Sequence, residues 1–327
     1  MTNINSKNIG AAIHFANMYG LDKKSMQDRL DWATGPGKEI ALKIINEGYY
    51  PAEADKPFQT ITAAHGFYNS TEWDLVCHVD GTCNGLQHGA ALVGHRKTAE
   101  AVNCTAATRH DAPQDVYGLA AETMRNELSK LRINCVVYML SNERYGNGRK
   151  LTKKPVMVTG YGASLDTALL NFMEAMTDAD RAKAEQYKDD IKHALQLALQ
   201  AHAGAIVEIT KQLRYSLGGT VPASWIAADG FKVTQRARTK DNEKMDWIGG
   251  SQDRTRKDGI DEQAQKTGIA PNFVHTMDAS HLREVVRSSD LDIAAVHDSI
   301  GVRSEEFTKL YHAIRKRSTE APITLVD

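Results

Sequence analysis

Two aspartates stand where a carboxylate would project from the end of a strand. Asp80 follows the apolar stretch 73–79, and Asp298 lies between the short apolar stretches 294–296 and 300–302. Short runs of β-branched and aromatic residues bounded by turn residues are typical of strands. Two carboxylates on neighbouring strands can hold a pair of Mg²⁺ ions about 3.5–4 Å apart. Each aspartate could equally be an ordinary residue at a strand end.

A second candidate group recurs at every fourth position, at Arg149, Lys153, Met157 and Tyr161. Side chains four residues apart lie on one face of a helix, so this spacing predicts a single stripe. The basic end of such a stripe could bind a triphosphate, and the tyrosine could contact a sugar and base. A solvated basic helix start with an apolar second half is the alternative.

Proline and glycine set the expected limits of this helix. Pro155 lacks an N–H and is tolerated mainly in the first turn of a helix. The sequence therefore predicts that the helix begins near Thr152 and that Arg149 precedes it. The glycines on both sides of Tyr161 each disfavour helix by about 1 kcal/mol relative to alanine. They indicate either the helix end or the close approach of a flat ligand.

The stretch 232–257 is rich in charge, with eight Lys and Arg against four Asp and Glu, a local net charge of +4. The phosphates of a nucleic acid would attract such a segment. We expect residues 234–262 to form an exposed loop, in which Trp247 could stack on a base or simply pack. A solvated loop without a ligand is the alternative.

Glycines, capping residues and turn residues divide the remaining sequence into elements. Helices are predicted at 7–48 with breaks at three glycines, in the apolar part of 82–98 that follows the polar segment TCNGLQHG, at 115–131, at 178–217 and at 272–288. Thr177 is the expected N-cap of the fourth of these regions. The pair Asp229 and Gly230 predicts the turn of a short hairpin.

Composition narrows the class of protein. The 327 residues carry 40 Lys and Arg against 41 Asp and Glu, which excludes a wholly basic nucleic-acid coat protein but not a locally basic cleft. Neither the four cysteines nor the histidines at 275, 281 and 297 fit a zinc pattern. No apolar run approaches the roughly 18 residues of a membrane span, and the N-terminus lacks a signal-peptide core. We expect a cytosolic protein with reduced cysteines.

Four segments, in this order, resemble motifs of the single-subunit RNA polymerases of bacteriophages and mitochondria. Residues 80–88 (DGTCNGLQH) look like the family's first metal-binding motif, Asp-Gly-Ser-Cys-Ser-Gly-Ile-Gln-His. Residues 149–162 (RKLTKKPVMVTGYG) are similar to its nucleotide-binding finger helix, and 268–283 to its third motif. Residues 297–299 (HDS) are similar to its second metal-binding motif. Weaker matches extend the resemblance over about residues 10–315.

The resemblance implies a right-hand polymerase fold that is α+β and mainly helical, with a small antiparallel palm sheet and without an N-terminal domain or thumb. Residues 1–95 and 282–327 would form the palm, and 96–281 the fingers. The implied activity is that of the catalytic subunit of a DNA-dependent RNA polymerase that transcribes phage genes. A related right-hand DNA polymerase and a non-catalytic nucleic-acid-binding scaffold subunit are the alternatives.

The resemblance also implies roles for residues around the aspartates. Asp80 and Asp298 would ligate two Mg²⁺ ions, with help from the carbonyl of Gly81. The RNA 3′-hydroxyl would attack the α-phosphate in line, and pyrophosphate would leave. His297 would position the primer end or support Asp298, and His281 would contact the 2′-hydroxyl or the minor-groove edge.

Residues of the finger helix would bind the nucleotide. Arg149 and Lys153 would hold the triphosphate, and Lys153 would donate a proton to the leaving pyrophosphate. Tyr161 would lie under the incoming nucleotide and help to select ribose over deoxyribose. The remaining substrate-binding residues implied by the resemblance are Lys154, Met157 and Gly162.

The resemblance predicts partners as well as substrates. Members of the family are longer and carry a Gly-Arg palm motif just upstream of the point that corresponds to Met1. We expect a second polypeptide to supply the thumb and this motif, as in the heterodimeric RNA polymerases of Enquatrovirus-type phages; a piece of a longer protein is the alternative. The helices at 7–48 would form part of its docking surface. The other expected partners are DNA template, nascent RNA, ribonucleoside triphosphates and a promoter-recruiting factor. We expect the protein to act in the cytoplasm of an infected bacterium and not at a membrane.

Overall fold

The structure is a computed structural model that describes residues 9–68, 75–217, 219–239, 243–247, 250–254 and 259–317. For 243–247, 250–254 and 316–317 only the backbone is described. Two compact units divide these residues. The first unit comprises the described parts of 9–82, 100–115 and 281–317, and the second those of 83–99 and 116–280.

The first unit opens with four helices, α1 (Ile9–Tyr19), α2 (Met26–Thr34), α3 (Pro36–Glu47) and α4 (Pro57–Tyr68). The prediction of helices broken at the three glycines is confirmed. Gly48, at φ 67, caps α3 in the left-handed conformation that glycine adopts without steric cost. The apolar faces of these helices bury one core together with Cys77 and Phe307.

A strand and a series of helices follow. Strand β1 (Val76–Val79) leads directly into Asp80, as predicted. The helices are α5 (Asn84–Val93), α6 (Arg96–Ala101), α7 (Val116–Lys130), α8 (Asn134–Leu140), α9 (Arg149–Gly160), α10 (Leu165–Glu174), α11 (Asp178–Ala184) and α12 (Lys188–Leu217). In the second unit, α12 packs along α5, α7, α9 and α10 and forms the centre of its helical layer.

The start of α9 differs from its prediction. Pro155 predicts a start near Thr152, but the helix begins at Arg149, directly after Gly148 in the left-handed conformation at φ 90. Arg149 therefore lies in the first turn of the helix and not before it. The missing N–H of Pro155 removes one helical hydrogen bond. Both Pro155 and Val156 are buried, and this packing compensates for the lost bond.

The single helix predicted for 178–217 is also wrong. A turn of 3₁₀ helix at Glu185–Tyr187 separates α11 from α12. The capping prediction for α11 is nevertheless confirmed, since the Thr177 side chain accepts a hydrogen bond from the backbone N–H of Asp180 at 3.3 Å. Capping signals therefore located the start of this region, while the break lies in a stretch without glycine or proline.

Two hairpins and a long helix complete the second unit. Strands β2 (Ala223–Ile226) and β3 (Lys232–Gln235) pair across the predicted turn at Asp229 and Gly230. Strands β4 (Glu243–Trp247) and β5 (Gly250–Arg254) form a second hairpin, so the exposed loop predicted for 234–262 is wrong. The side chain of Trp247 lies outside the described residues, and its stacking role stays a prediction.

Helix α13 (Glu262–Ser288) begins ten residues before the start predicted at 272 and contains Pro271. It runs from the second unit into the first, where its last turns lie beneath a sheet. The buried apolar side chains there are Val285, Ile300, Val302 and Leu310. A proline inside the helix, rather than at its start, explains the misplaced boundary.

The first unit ends with strands β6 (Ala294–Val296) and β7 (Ser299–Arg303) and helix α14 (Phe307–Arg317). The three strands form an antiparallel sheet in the order β1-β7-β6. The prediction of two short strands around His297 and Asp298 is confirmed, as is a mainly helical α+β fold with small antiparallel sheets. Assignment of the units to palm and fingers, and the lack of a thumb and N-terminal domain, stay predictions. No helix in the described ranges is long and apolar enough to cross a membrane.

Candidate active site

The aspartates predicted to bind metal lie at the same end of the three-stranded sheet. Strand β1 ends at Val79, which pairs with Ile300 of β7. Continuing this register by one residue places Asp80 opposite Ser299, the neighbour of Asp298. Residues directly opposite each other in antiparallel strands have Cβ atoms about 4.5–5.5 Å apart. Sheet register therefore brings the backbones of the two aspartates together.

Tight backbone geometry holds each aspartate. The N–H of Gly81 donates to Oδ1 of Asp80 at 2.9 Å. Asp298 and His297 form the two-residue connection between β6 and β7. His297 has φ 56, a left-handed conformation that costs a non-glycine residue about 1 kcal/mol or more. All four residues are exposed, so both carboxylates are accessible to a ligand.

A hydrogen bond that the sequence did not predict joins strands β1 and β7 beside the aspartates. Nδ1 of His78 lies 3.2 Å from Oγ of Ser299, and 221 positions separate the two residues. His78 pairs with Gly301 in the sheet register. A Cβ at Gly301 would lie 2.7 Å from Cε1 of His78, so the imidazole occupies the space over this glycine. Only the register, and no spacing in the sequence, reveals this pair.

The donor chemistry at the sheet end fits magnesium. Within the described residues, no group of three or more His, Cys, Asp or Glu is arranged to hold a metal ion. The available donors are the carboxylates of Asp80 and Asp298 and the carbonyl of Gly81. Mg²⁺ is bound in proteins by one or two carboxylates, with water and substrate phosphates completing its shell. A site of this kind needs no third side-chain ligand.

Asn103 anchors the segment that follows Asp80. Its Nδ2 donates to Oγ1 of Thr82 at 3.3 Å and to the carbonyl of Gln114 at 2.9 Å, and its Oδ1 accepts from the Gln114 N–H at 2.7 Å. Asn103 itself has φ 64, a conformation that asparagine tolerates better than most residues. Asn103 belongs to one of the weaker motif matches, so the sequence did contain a signal that could have identified it.

His281 lies in α13 of the same unit and is half-buried.

In the second unit, α9 carries the predicted basic stripe. The guanidinium of Arg149 lies over the ring of Tyr117 of α7, 5.1 Å from its centroid, a favourable cation–π geometry. Lys153 is exposed and forms no ion pair with any residue the structure describes. Met157 is 36% exposed. Arg149 is thus held by the protein, while Lys153 projects into solvent.

Lys154 lies close to one acidic side chain. Its Nζ lies 3.8 Å from Oε2 of Glu174 in α10, and both side chains are exposed. Exposed ion pairs contribute little, about 0–1 kcal/mol. The carboxylate of Glu174 therefore competes only weakly with an anionic ligand at Lys154.

Tyr161 lies at the end of α9 beside a histidine that sequence reasoning left without a role there. Its ring is edge-on to that of His275 of α13, with centroids 5.3 Å apart. Gly162 follows at φ 79. A Cβ at Gly162 would lie 3.0 Å from Cβ of Ala270 and 3.1 Å from Nη2 of Arg214. The turn that carries Tyr161 is therefore fixed against both α12 and α13.

Helix α5 fixes α9 and α13 from a third direction. A Cβ at Gly85 would lie 3.0 Å from the carbonyl oxygen of Gly160, so the backbones of α5 and α9 approach closely. Nε2 of His88 lies 2.6 Å from Oδ1 of Asp278, which joins α5 to α13 one turn after His275. His88 and Asp278 both lie in recognised motifs, but 190 positions separate them. The motifs identified both residues but did not predict that they pair.

Comparison with known proteins places this geometry in context. A family model of the DNA-dependent RNA polymerases matches residues 11–320. The DNA-directed RNA polymerase of Enterobacteria phage T3 is 27% identical over 93% of this chain and 42% of its own length. The T7 RNA polymerase of Escherichia phage T7 is 25% identical over 93% and 42%. The mitochondrial DNA-directed RNA polymerase of Schizosaccharomyces pombe is 26% identical over 93% and 29%. The chain spans less than half the length of these curated relatives.

Proposed function

We propose that this chain, which belongs to the family of single-subunit DNA-dependent RNA polymerases, is the catalytic part of a DNA-directed RNA polymerase. It adds ribonucleotides to an RNA 3′ end under the direction of a DNA template. One observation carries the proposal. Asp80 and Asp298 come from motifs far apart in the sequence, and sheet register places them at one strand end.

Asp80, Asp298 and the Gly81 carbonyl would hold two Mg²⁺ ions. Bound there, the ions would supply positive charge beside the attacking and leaving oxygens of phosphoryl transfer. The 3′-hydroxyl of the RNA forms a bond to the α-phosphorus of the nucleotide, and the bond to the pyrophosphate oxygen breaks. His297, held in its strained turn, positions the 3′ end or supports Asp298. His281 contacts the 2′-hydroxyl or the minor-groove edge.

Residues of α9 bind the nucleotide. Arg149, orientated by the Tyr117 ring, and the exposed Lys153 hold the triphosphate oxygens. Nζ of Lys153 gives a proton to the departing pyrophosphate, whose negative charge rises as the bond breaks. Met157, Gly162 and Lys154 complete the contacts with the substrate.

Tyr161 selects the sugar. Its ring packs edge-on against His275, which orients the phenol, and its hydroxyl hydrogen-bonds a ribose hydroxyl. A site that hydrogen-bonds a substrate hydroxyl rejects an analogue that lacks it, because the protein group is then left unpaired.

A second polypeptide works together with this chain, as the resemblance to heterodimeric phage enzymes implies, and a further factor recruits the complex to promoters. Exposed aromatic and aliphatic side chains of the first unit support a docking surface. Phe58 of α4 is 73% exposed and packs edge-on against Tyr50, with ring centroids 5.6 Å apart. Leu42 of α3 is also exposed. Part of this surface lies within the predicted helices at 7–48.

Asp298→Asn tests the proposal directly. The full chain is incubated with Mg²⁺, four ribonucleotides and a primed single-stranded DNA template, with and without the co-expressed second polypeptide. The substitution keeps the size of the side chain but removes its charge, so we expect primer extension to fall by about 10³-fold or more. Template binding should change little.

Asp292→Asn is the matched control, because Asp292 is an exposed aspartate of the same unit. It should extend primers at the rate of the unmodified chain. Undiminished synthesis by the Asp298→Asn chain would remove the metal-binding assignment. No extension by the unmodified chain with or without the second polypeptide would count against a catalytic role.

A further inference from the structure

The last turns of α12 have two chemically different faces. One face is packed into an apolar core with Trp225, through Ile209, Leu213 and Leu217. The other face carries Lys211, Arg214 and Tyr215, at the i, i+3 and i+4 spacing that brings side chains together on a helix surface. These three residues are called the α12 stripe. The packing of the opposite face fixes the direction in which the stripe points.

Arg214 is the most informative member of the α12 stripe. Its Nε is buried, and no hydrogen-bond acceptor for it exists among the residues described. Its Nη2 lies against the turn at Gly162, 3.1 Å from the place that a Cβ there would occupy. A buried donor without an acceptor is unfavourable, because it has lost its water partner and gained none. The guanidinium is thus partly desolvated beside Tyr161 and suited to an anionic oxygen that the protein does not supply.

The other two members extend the surface. Tyr215 is 92% exposed, so its ring is not covered by the protein. Lys211 is exposed, and no acidic side chain in the described ranges forms an ion pair with it. Glu208, one turn earlier, accepts a hydrogen bond from Gln212 at 3.2 Å. Two cations with an open aromatic ring are the groups that bind a nucleic-acid single strand, through phosphates and through base stacking.

We propose that the α12 stripe binds the single-stranded DNA template. Arg214 and Lys211 contact its phosphates, and Tyr215 stacks on one of its bases. The proposal rests on the proposed function, because it makes the strand next to the Tyr161 turn the polymerase template. An unpaired strand is required, since a base within a duplex has no face open to Tyr215.

Binding of the full chain to a labelled single-stranded oligodeoxynucleotide, followed by fluorescence anisotropy over a range of salt, tests the α12 stripe. Stacking of one base on an aromatic side chain contributes about 1–3 kcal/mol, so Tyr215→Leu should weaken binding about 5- to 100-fold. Arg214→Gln and Lys211→Gln should each reduce the slope of log K against log salt by about 0.7. Arg214→Lys keeps the charge and should keep the slope.

Tyr138→Leu and Lys130→Gln are matched controls. Tyr138 of α8 is 68% exposed, and Lys130 of α7 is an exposed cation of the same unit. Both should bind the oligonucleotide as the unmodified chain does. Thermal unfolding of every variant separates lost binding from lost structure.

The outcomes distinguish this proposal from the proposed function. Variants of the α12 stripe that bind with unchanged affinity and salt slope, in a chain that extends primers, would overturn the stripe and leave the polymerase intact. If Tyr215→Leu reduced the affinity for duplex and single-stranded DNA equally, the stacking role would be overturned. Unchanged DNA binding with lost binding of the second polypeptide would make the surface a protein interface. An unmodified chain that neither extends primers nor binds DNA would overturn the proposed function itself.

Discussion

The two units fix their candidate site residues by different physical means. In the first unit, Asp80 and Asp298 are placed by the register of a small sheet, which backbone hydrogen bonds determine. In the second, Tyr161 depends on the packing of α9 against α5, α12 and α13. Register is set by a few backbone pairs between two strands, here from distant parts of the sequence, whereas helix packing depends on many side chains. The loss of stability caused by a substitution, and its recovery by a second substitution, should therefore differ between the two units.

The largest expected effect compares one glycine from each unit. Gly301→Ala places a methyl group 2.7 Å from the His78 ring, so the free energy of unfolding should fall by about 1–3 kcal/mol. His78→Ala removes that ring, so Gly301→Ala should cost less in the same background, where a contact of 2.9 Å to Cγ1 of Val76 remains. Gly162→Ala should stay destabilising in an Arg214→Ala background. Its φ of 79 disfavours any side chain, and Ala270 still lies 3.0 Å from the new methyl group.

Urea unfolding of the four single and two double variants gives these free energies. Equal costs of Gly301→Ala with and without the His78 ring would show that the sheet is not organised around that imidazole. Full rescue of Gly162→Ala by Arg214→Ala would show that the turn at Tyr161 is limited by one side chain only. Either result would remove the contrast between the units.

The sequence predicted best what local signals determine. The strand before Asp80, the hairpin around Asp298 and the Thr177 cap each follow from adjacent residues, and all are confirmed. The starts of α9 and α13 were misplaced because proline was taken to lie at or before the start of a helix that in fact continues through it. The strands β4 and β5 were missed because charge, rather than alternation, dominates their composition.

For the candidate site as well, local sequence signals identified residues but not their long-range contacts. Motifs supplied the residues of α9 and the sheet end, since each motif is contiguous in the sequence. The pairs His88–Asp278 and His78–Ser299 join positions about two hundred residues apart. No single sequence shows such pairing. The role proposed for Arg214 rests on a buried Nε that has no acceptor among the described residues, a feature that only the folded chain shows.

A smaller effect is expected for the sugar preference at Tyr161. Tyr161→Phe removes one hydroxyl from the ring that packs against His275. If that hydroxyl hydrogen-bonds the ribose, its loss should reduce discrimination between ribonucleotides and deoxyribonucleotides about tenfold, or about 1.4 kcal/mol. Primer extension with each nucleotide class measures the ratio of kcat/KM values.

Tyr138→Phe, a change at an exposed tyrosine of the same unit, should leave that ratio unchanged. An unaltered ratio in the Tyr161→Phe chain would show that another group selects the sugar. Preference for deoxyribonucleotides in the unmodified chain would favour a DNA polymerase, and equal use of both classes would show that the sugar is not selected. In that case, the helix packing around Tyr161 would have a structural role rather than one in specificity.

The smallest expected effect concerns acid stability of the first unit. Burial, with added repulsion from His78 and Lys56, lowers the pKa of His14 in α1 to about 4. The unfolded chain binds a proton at this histidine near pH 6.5, while the folded chain stays neutral, so acid favours unfolding. The free energy of unfolding should fall by about 1 kcal/mol from pH 8 to pH 6 through this group, and further towards pH 4. Urea unfolding of the unmodified and His14→Gln chains across this range isolates the contribution. Identical pH profiles would show that His14 is solvated in the folded state.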